Sequence, residues 1–113
     1  MDEHFRALVK AMWQVLRSPG FLLLSLLGNG FIALSAWFFF LLEKGTNPSV
    51  NHYIDGLWWA FATATTTGYG DITPKTHEGK ILSVVLMLSG LALFAMYTAL
   101  FAEAILTIKP RKD

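Results

Sequence analysis

Thr65-Thr66-Thr67-Gly68-Tyr69-Gly70-Asp71 lies between two long apolar segments of a 113-residue chain. Its two glycines stand at alternate positions. Glycine reaches left-handed backbone angles at little steric cost. An extended strand can therefore alternate in hand here and turn successive carbonyls the same way. The result is a column of oxygens from Thr66, Thr67, Gly68 and Tyr69, with the Thr66 hydroxyl at its inner end. Such carbonyls can replace the water around a dehydrated cation. One chain supplies only one wall, so the reading needs copies arranged around an axis.

Outward from this run, Phe21 to Leu42 carries no charge. At ~1.5 Å per residue it reaches ~33 Å, enough to cross a hydrocarbon core of ~30 Å. Gly28-Asn29-Gly30 falls mid-span, where small residues allow close helix packing and the Asn29 amide needs a hydrogen-bond partner. Ile81 to Ile108 is the second span, with Glu103 its one charge. At ~42 Å it overshoots the bilayer and should tilt or project. Turn and cap residues (Gly45, Asn47, Pro48, Ser49, Asn51) fill the loop after the first span. Ile54 to Thr65 then reads as a helix of ~18 Å, too short to cross. It fits a re-entrant helix whose C-terminal dipole end favours a cation.

The frame resembles the potassium channel pore family, whose filter reads Thr-x-Gly-Tyr-Gly-Asp. The resemblance runs from about Phe21 to Leu106. It includes Trp58-Trp59-Ala60 and Thr63 before the filter, Pro74 and Thr76 after it, and Gly79-Lys80 at the second span. It implies an all-α membrane protein: outer helix 21–42, pore helix 54–65, filter 66–71 and inner helix 81–108, assembled as a homotetramer in the lipid bilayer. Potassium would bind at Thr66, Thr67, Gly68 and Tyr69. Gly70, Asp71, Trp58, Trp59 and Thr63 would support the filter, with Trp58 bonding Asp71. Anchoring of the Trp pair at the headgroups is the lesser alternative. Two departures matter. Thr67 replaces the usual Val or Ile, so its hydroxyl needs a partner. Ala62 stands where some members carry a Glu that pairs with the filter acid.

On the second span, Gly90 matches the family's hinge glycine, although a small residue for close helix contact explains it as well. At helical spacing, Gly90, Phe94, Thr98, Ala99, Ala102 and Leu106 can line the cavity and inner mouth. Glu103 falls beside them, either ringing the entrance or pairing with a surface base.

Residues 1–20 form a separate unit. Phe5, Leu8, Val9, Met12, Trp13 and Leu16 recur on one helical face, with Arg6, Lys10, Gln14 and Arg17 elsewhere. This describes an interfacial amphipathic helix, a membrane anchor or a gating element, ended by Ser18-Pro19-Gly20. Arg6, Lys10, Arg17, Lys109, Arg111 and Lys112 flank the spans, against Lys44, Lys75 and Lys80 between them. That asymmetry places both termini in the cytoplasm. Residues 109–113 are a short basic tail. Many members of the resembled family continue into a ligand-binding domain, so a C-terminal regulatory domain beyond this sequence is an open expectation.

Net charge of +1 gives no reason to expect a nucleic-acid partner, and the absence of cysteine excludes disulfides and thiolate sites. His4, His52 and His77 are scattered, and no nucleophile–base set or phosphate loop occurs. The sequence therefore predicts no enzyme and no cofactor beyond the permeant potassium ions. A weakly selective cation pore and a structural membrane subunit are the alternatives.

Overall fold

The computed structural model describes residues 2–108. The expected basic tail, 109–113, lies outside them. Four helices follow in order: α1 (Glu3–Leu16), α2 (Pro19–Glu43), α3 (Tyr53–Ala64) and α4 (His77–Leu106). Among the described residues no segment pairs into a β-sheet; residues 66–71 form a single unpaired strand.

Asp2 caps α1 by accepting from the His4 amide at 3.3 Å. Ser18 then serves both neighbours. Its hydroxyl donates to the Val15 carbonyl at 2.7 Å and accepts from the Phe21 amide at 3.2 Å. Pro19 and Gly20, expected as part of a break, are instead the first residues of α2. The first helical position needs no amide donor, so proline fits there. The Trp-bearing face of α1 is likewise not the one buried on the protein: Ala11 and Val15 are. The apolar face points outward.

α2 and α4 run antiparallel. At one end Phe21 packs on Tyr97 and Phe101, with ring centroids 5.4 and 6.1 Å apart. The Tyr97 hydroxyl also donates to Ser25 Oγ at 2.7 Å. The Asn29 amide finds its partner within its own helix, donating to the Ser25 carbonyl at 2.8 Å. α4 starts four residues before the expected Ile81, because the Thr76 hydroxyl caps it by accepting from the Gly79 amide at 2.9 Å.

α3 wedges between α2 and α4 in the half of the bundle opposite α1. The core gathers there: Ile32, Ala36, Phe39, Val50, Trp59, Ala60, Ala64 and Leu86. Phe39 and Trp59 stack at 3.7 Å with planes 7° apart, and Tyr53 donates to the Ala33 carbonyl at 2.7 Å. Two glycines permit the wedge. A Cβ on Gly56 would lie 2.6 Å from the Ala36 carbonyl oxygen, and one on Gly90 would collide with the backbone of Ala64. Elsewhere α2 and α4 expose large apolar side chains, among them Leu26, Leu27, Val84 and Leu88. Both helices are long and apolar enough to cross a membrane.

Candidate functional site: the strand after the short helix

Residues 66–71 leave the C-terminal end of α3 and run beside that helix. The start of the strand is tied to the helix's last carbonyls. The Thr65 amide bonds Phe61 O at 3.0 Å, the Thr66 amide bonds Thr63 O at 3.2 Å, and the Gly68 amide bonds Ala62 O at 3.0 Å. Carbonyls orphaned at a helix end are thus satisfied by the strand itself.

The backbone alternates in hand. Thr66, Gly68 and Gly70 have φ of +63°, +53° and +81°, and no other non-glycine among the described residues has a positive φ. The glycines follow the sequence expectation. Thr66 does not, since a β-branched residue is an outlier in this region. It continues the alternation inward by one more step.

Trp58 holds the other end. Its ring stacks on Tyr69 with centroids 5.3 Å apart and planes at 10°. Its Nε1 donates to Asp71 Oδ2 at 2.8 Å. One side chain therefore grips the residues on both sides of Gly70. With Ala62 offering no carboxylate, Trp58 is the side chain that Asp71 bonds. Trp59 points the other way, into the core, where it stacks on Phe39. Thr63 is half-buried and contributes its carbonyl to Thr66.

The Thr67 hydroxyl lies 2.9 Å from Thr65 Oγ1. The direction of that bond follows from proton count. Thr65 has one hydroxyl proton, and it goes to Phe61 O at 2.6 Å. Thr67 is therefore the donor. A threonine pair does the bracing behind the strand, and the partner that Thr67 requires comes from the end of α3.

Gly90 is buried against Ala64, and α4 runs through it unbroken. Met87 and Leu91 face Ala62, Thr63, Thr66 and Gly68 across a shallow hollow. Phe94, Thr98, Ala102, Glu103 and Leu106 are exposed along the remainder of α4. The Thr98 hydroxyl bonds back to Phe94 O at 2.9 Å. Among the described residues no base lies at ion-pair distance from Glu103.

One residue that the sequence presents as a plain loop acid has the most bonded carboxylate among the described residues. Glu43 is fully buried at the end of α2. Its Oε1 accepts from the Asn47 side chain at 2.9 Å and the Lys75 amide at 2.6 Å. Its Oε2 accepts from the Thr76 amide at 3.0 Å and from the Thr76 hydroxyl. Asn47 extends the network to the Thr73 carbonyl at 2.7 Å. The segment leaving the strand is thereby fastened to the C-terminal end of α2. A signal was present: an acid in the last turn of a helix opposes the dipole and needs a reason to be there.

Comparison with known proteins agrees with this geometry. The ion channel family matches residues 29–107. The chain belongs to that family. The human potassium voltage-gated channel subfamily KQT member 4 is 41% identical over 69 residues, covering 59% of this chain and 10% of its own length. The calcium-gated potassium channel TvoK of Thermoplasma volcanium is 28% identical over 112 residues, covering 93% of this chain and 30% of its own. A solved voltage-gated K+ channel pore module, crystallised closed in lipid membranes, superposes with a TM-score of 0.57 at 38% identity. That match covers 67% of this chain and 84% of the module. The chain spans between about a tenth and a third of the length of these two curated relatives.

Proposed function

We propose that four copies of this chain enclose a potassium-selective pore through which the ion moves passively down its electrochemical gradient. The observation that carries the reading is the alternation of hand at Thr66, Gly68 and Gly70. Alternation turns the carbonyls of Thr66, Thr67, Gly68 and Tyr69 to one side, and four such walls give stacked oxygen rings that stand in for water around a cation. The fourfold arrangement also gives the exposed apolar faces of α2 and α4 neighbours or lipid to meet. Phe94, Thr98, Ala102 and Leu106 line the inner path, and Glu103 lies at its entrance. Both termini are cytoplasmic in this reading, with the filter opening outward, in keeping with the bases of α1.

Gly68→Ala tests the proposal. An alanine at φ +53° costs roughly 1–2 kcal/mol in each chain and disturbs every ring at once. Rubidium uptake by vesicles containing the variant should vanish while the protein remains inserted. Unchanged uptake would remove the filter assignment.

A further inference from the structure

The bonds around Glu43 fix a base close to the point where residues 66–71 end. Lys75 follows that strand by four positions, and its amide donates to Glu43 Oε1 at 2.6 Å. Two residues earlier, the Thr73 carbonyl accepts from Asn47 at 2.7 Å. Pro74, between them, holds its own φ near about −65°. The side chain of Lys75 therefore starts from a fastened backbone. It doubles back toward the strand, its ammonium donating to Thr73 Oγ1 at 3.4 Å, and it is exposed. The acids of this end are engaged elsewhere or stand apart. Glu43 accepts from four donors, Asp71 from Trp58, and Asp55 from the amides of Asn51 and His52. Glu78 is exposed in the first turn of α4. Among the described residues none of them is at ion-pair distance from Lys75. Lys44, the base at the end of α2, turns elsewhere, its Nζ 5.6 Å from the Phe40 ring centroid.

We propose, on the basis of the four-copy pore above, that Lys75 restrains cation entry at the mouth where the strand ends. Four ammonium groups, one from each copy, ring that mouth and lower the potassium concentration beside it. A charge lining an opening concentrates ions of opposite sign there, and by the same field depletes ions of its own sign. No contact with the ion is needed, so an exposed side chain suffices. Asp71 and Glu78 act in the opposite sense. Potentials add, however, so removing Lys75 raises the local cation concentration whatever the acids contribute. The effect has a direction. Ions moving inward are drawn from the water beside Lys75, whereas ions moving outward are supplied at the other end of the path and pass Lys75 only after leaving the filter. The residue thus governs inward current and leaves outward current nearly alone.

The test records single channels of the full chain in planar bilayers under symmetric potassium. At about 10 mM, where a charge acts over ~30 Å, Lys75→Gln should raise inward conductance about two- to fivefold and change outward conductance less. At about 1 M, where the range is ~3 Å, the two proteins should agree within about 1.2-fold. Lys44→Gln should do less than Lys75→Gln. The chain has no cysteine, so Lys75→Cys carries a single thiol. Aminoethyl methanethiosulfonate on that thiol restores a positive charge and should return inward conductance to the wild-type value. The sulfonatoethyl reagent adds a negative charge and should raise it further. Equal inward conductance of wild type and Lys75→Gln at low salt overturns the proposal. So does a change that is alike in both directions or persists at about 1 M, and so do two reagents that act alike. Both substitutions keep the amide that Glu43 holds, and should one variant not insert, the other gives the same reading. A wild type that passes no potassium current removes the pore itself, whereas wild-type current with an unaltered Lys75→Gln removes this role of Lys75 alone.

Discussion

The carboxylate of Glu43 accepts from both the backbone amide and the hydroxyl of Thr76, 33 positions further along the chain. Everything between them, loop, α3 and filter strand, is a closed excursion whose two ends are held by one buried side chain. Removing an acceptor from a buried set of donors costs ~1–3 kcal/mol, and more where the acceptor is charged. Glu43→Gln puts an NH2 in place of one carboxylate oxygen, against donors either from Asn47 and Lys75 or from Thr76. Its thermal midpoint in detergent should fall, and amide exchange at Lys75 and Thr76 should quicken. Exchange indistinguishable from wild type would mean that the clasp is not what holds the strand's exit.

The threonine pair predicts an asymmetry. Thr67→Val removes a donor and leaves Thr65 Oγ1 short of one bond, a small change, so potassium-over-sodium preference should persist. Thr65→Val removes the acceptor and leaves the Thr67 hydroxyl without its partner, the larger loss once neighbouring copies of the proposed tetramer cover the pair. Removing both should be milder than Thr65→Val alone, since an apolar pair of similar shape leaves nothing unsatisfied. Reversal potentials and thermal midpoints of the three variants give the order. A double variant worse than either single one would contradict the donor assignment.

Gly90 separates two explanations of one residue. A Cβ there would overlap the backbone of Ala64, so Gly90→Ala should push α4 from α3 and destabilise the protein by ~1–3 kcal/mol. Because the clash is with backbone, Ala64→Gly should not rescue it. A residue that acted only as a hinge would behave differently, with resting stability unchanged and only opening affected. Thermal midpoints of the single and double variants read the difference.

Asp55 supplies a pH dependence with a fixed sign. Its Oδ2 accepts from the amides of Asn51 and His52 at 2.9 and 3.0 Å. These bonds hold its acidity below the ordinary carboxylate range, the Asn51 amide contributing most. A lowered value in the folded state means the stabilisation is fully present above the unfolded value of about 4. It is lost as pH falls through the folded value below that. Asp55→Asn should therefore lower stability by a constant amount between pH 8 and 5, about 0.5–2 kcal/mol as for other helix caps, and the gap from wild type should close below pH ~4. A gap that instead changed between pH 8 and 6 would overturn the assignment to Asp55.

The all-helical, two-span fold was legible because lipid imposes length and composition on any crossing helix, and Phe21–Leu42 and the run after Ile81 satisfy both. The filter stretch was legible because Gly68-Tyr69-Gly70 stands in a whole frame, after a short helix with Trp58-Trp59 and between two apolar spans; the triplet alone means little. Thr66 was not, since nothing in a β-branched side chain announces a positive φ; the tied amides on either side impose it. Glu43 was missed for a different reason. Its partners are 32 and 33 residues away in sequence, and a count of charges along a loop cannot see them. Helix starts at Pro19 and His77 came earlier than hydropathy suggests, because the hydroxyls of Ser18 and Thr76 extend each helix past its apolar part.

The uneven placement of the core has a mechanical meaning. Around α3 the chain is close-packed, with stacked rings, glycine contacts and a clasped carboxylate. Toward α1 the same two long helices touch through a few aromatic rings and the Ser25–Tyr97 bond. Dense interiors resist deformation, while sparsely packed segments open at small free-energy cost. The protomer is stiff at the filter end and compliant at the other. In the proposed pore, a force applied at α1 would be absorbed by splaying of α2 and α4 at that end before it reached residues 66–71, so the path would change width at one end while its oxygen spacing at the other stayed fixed.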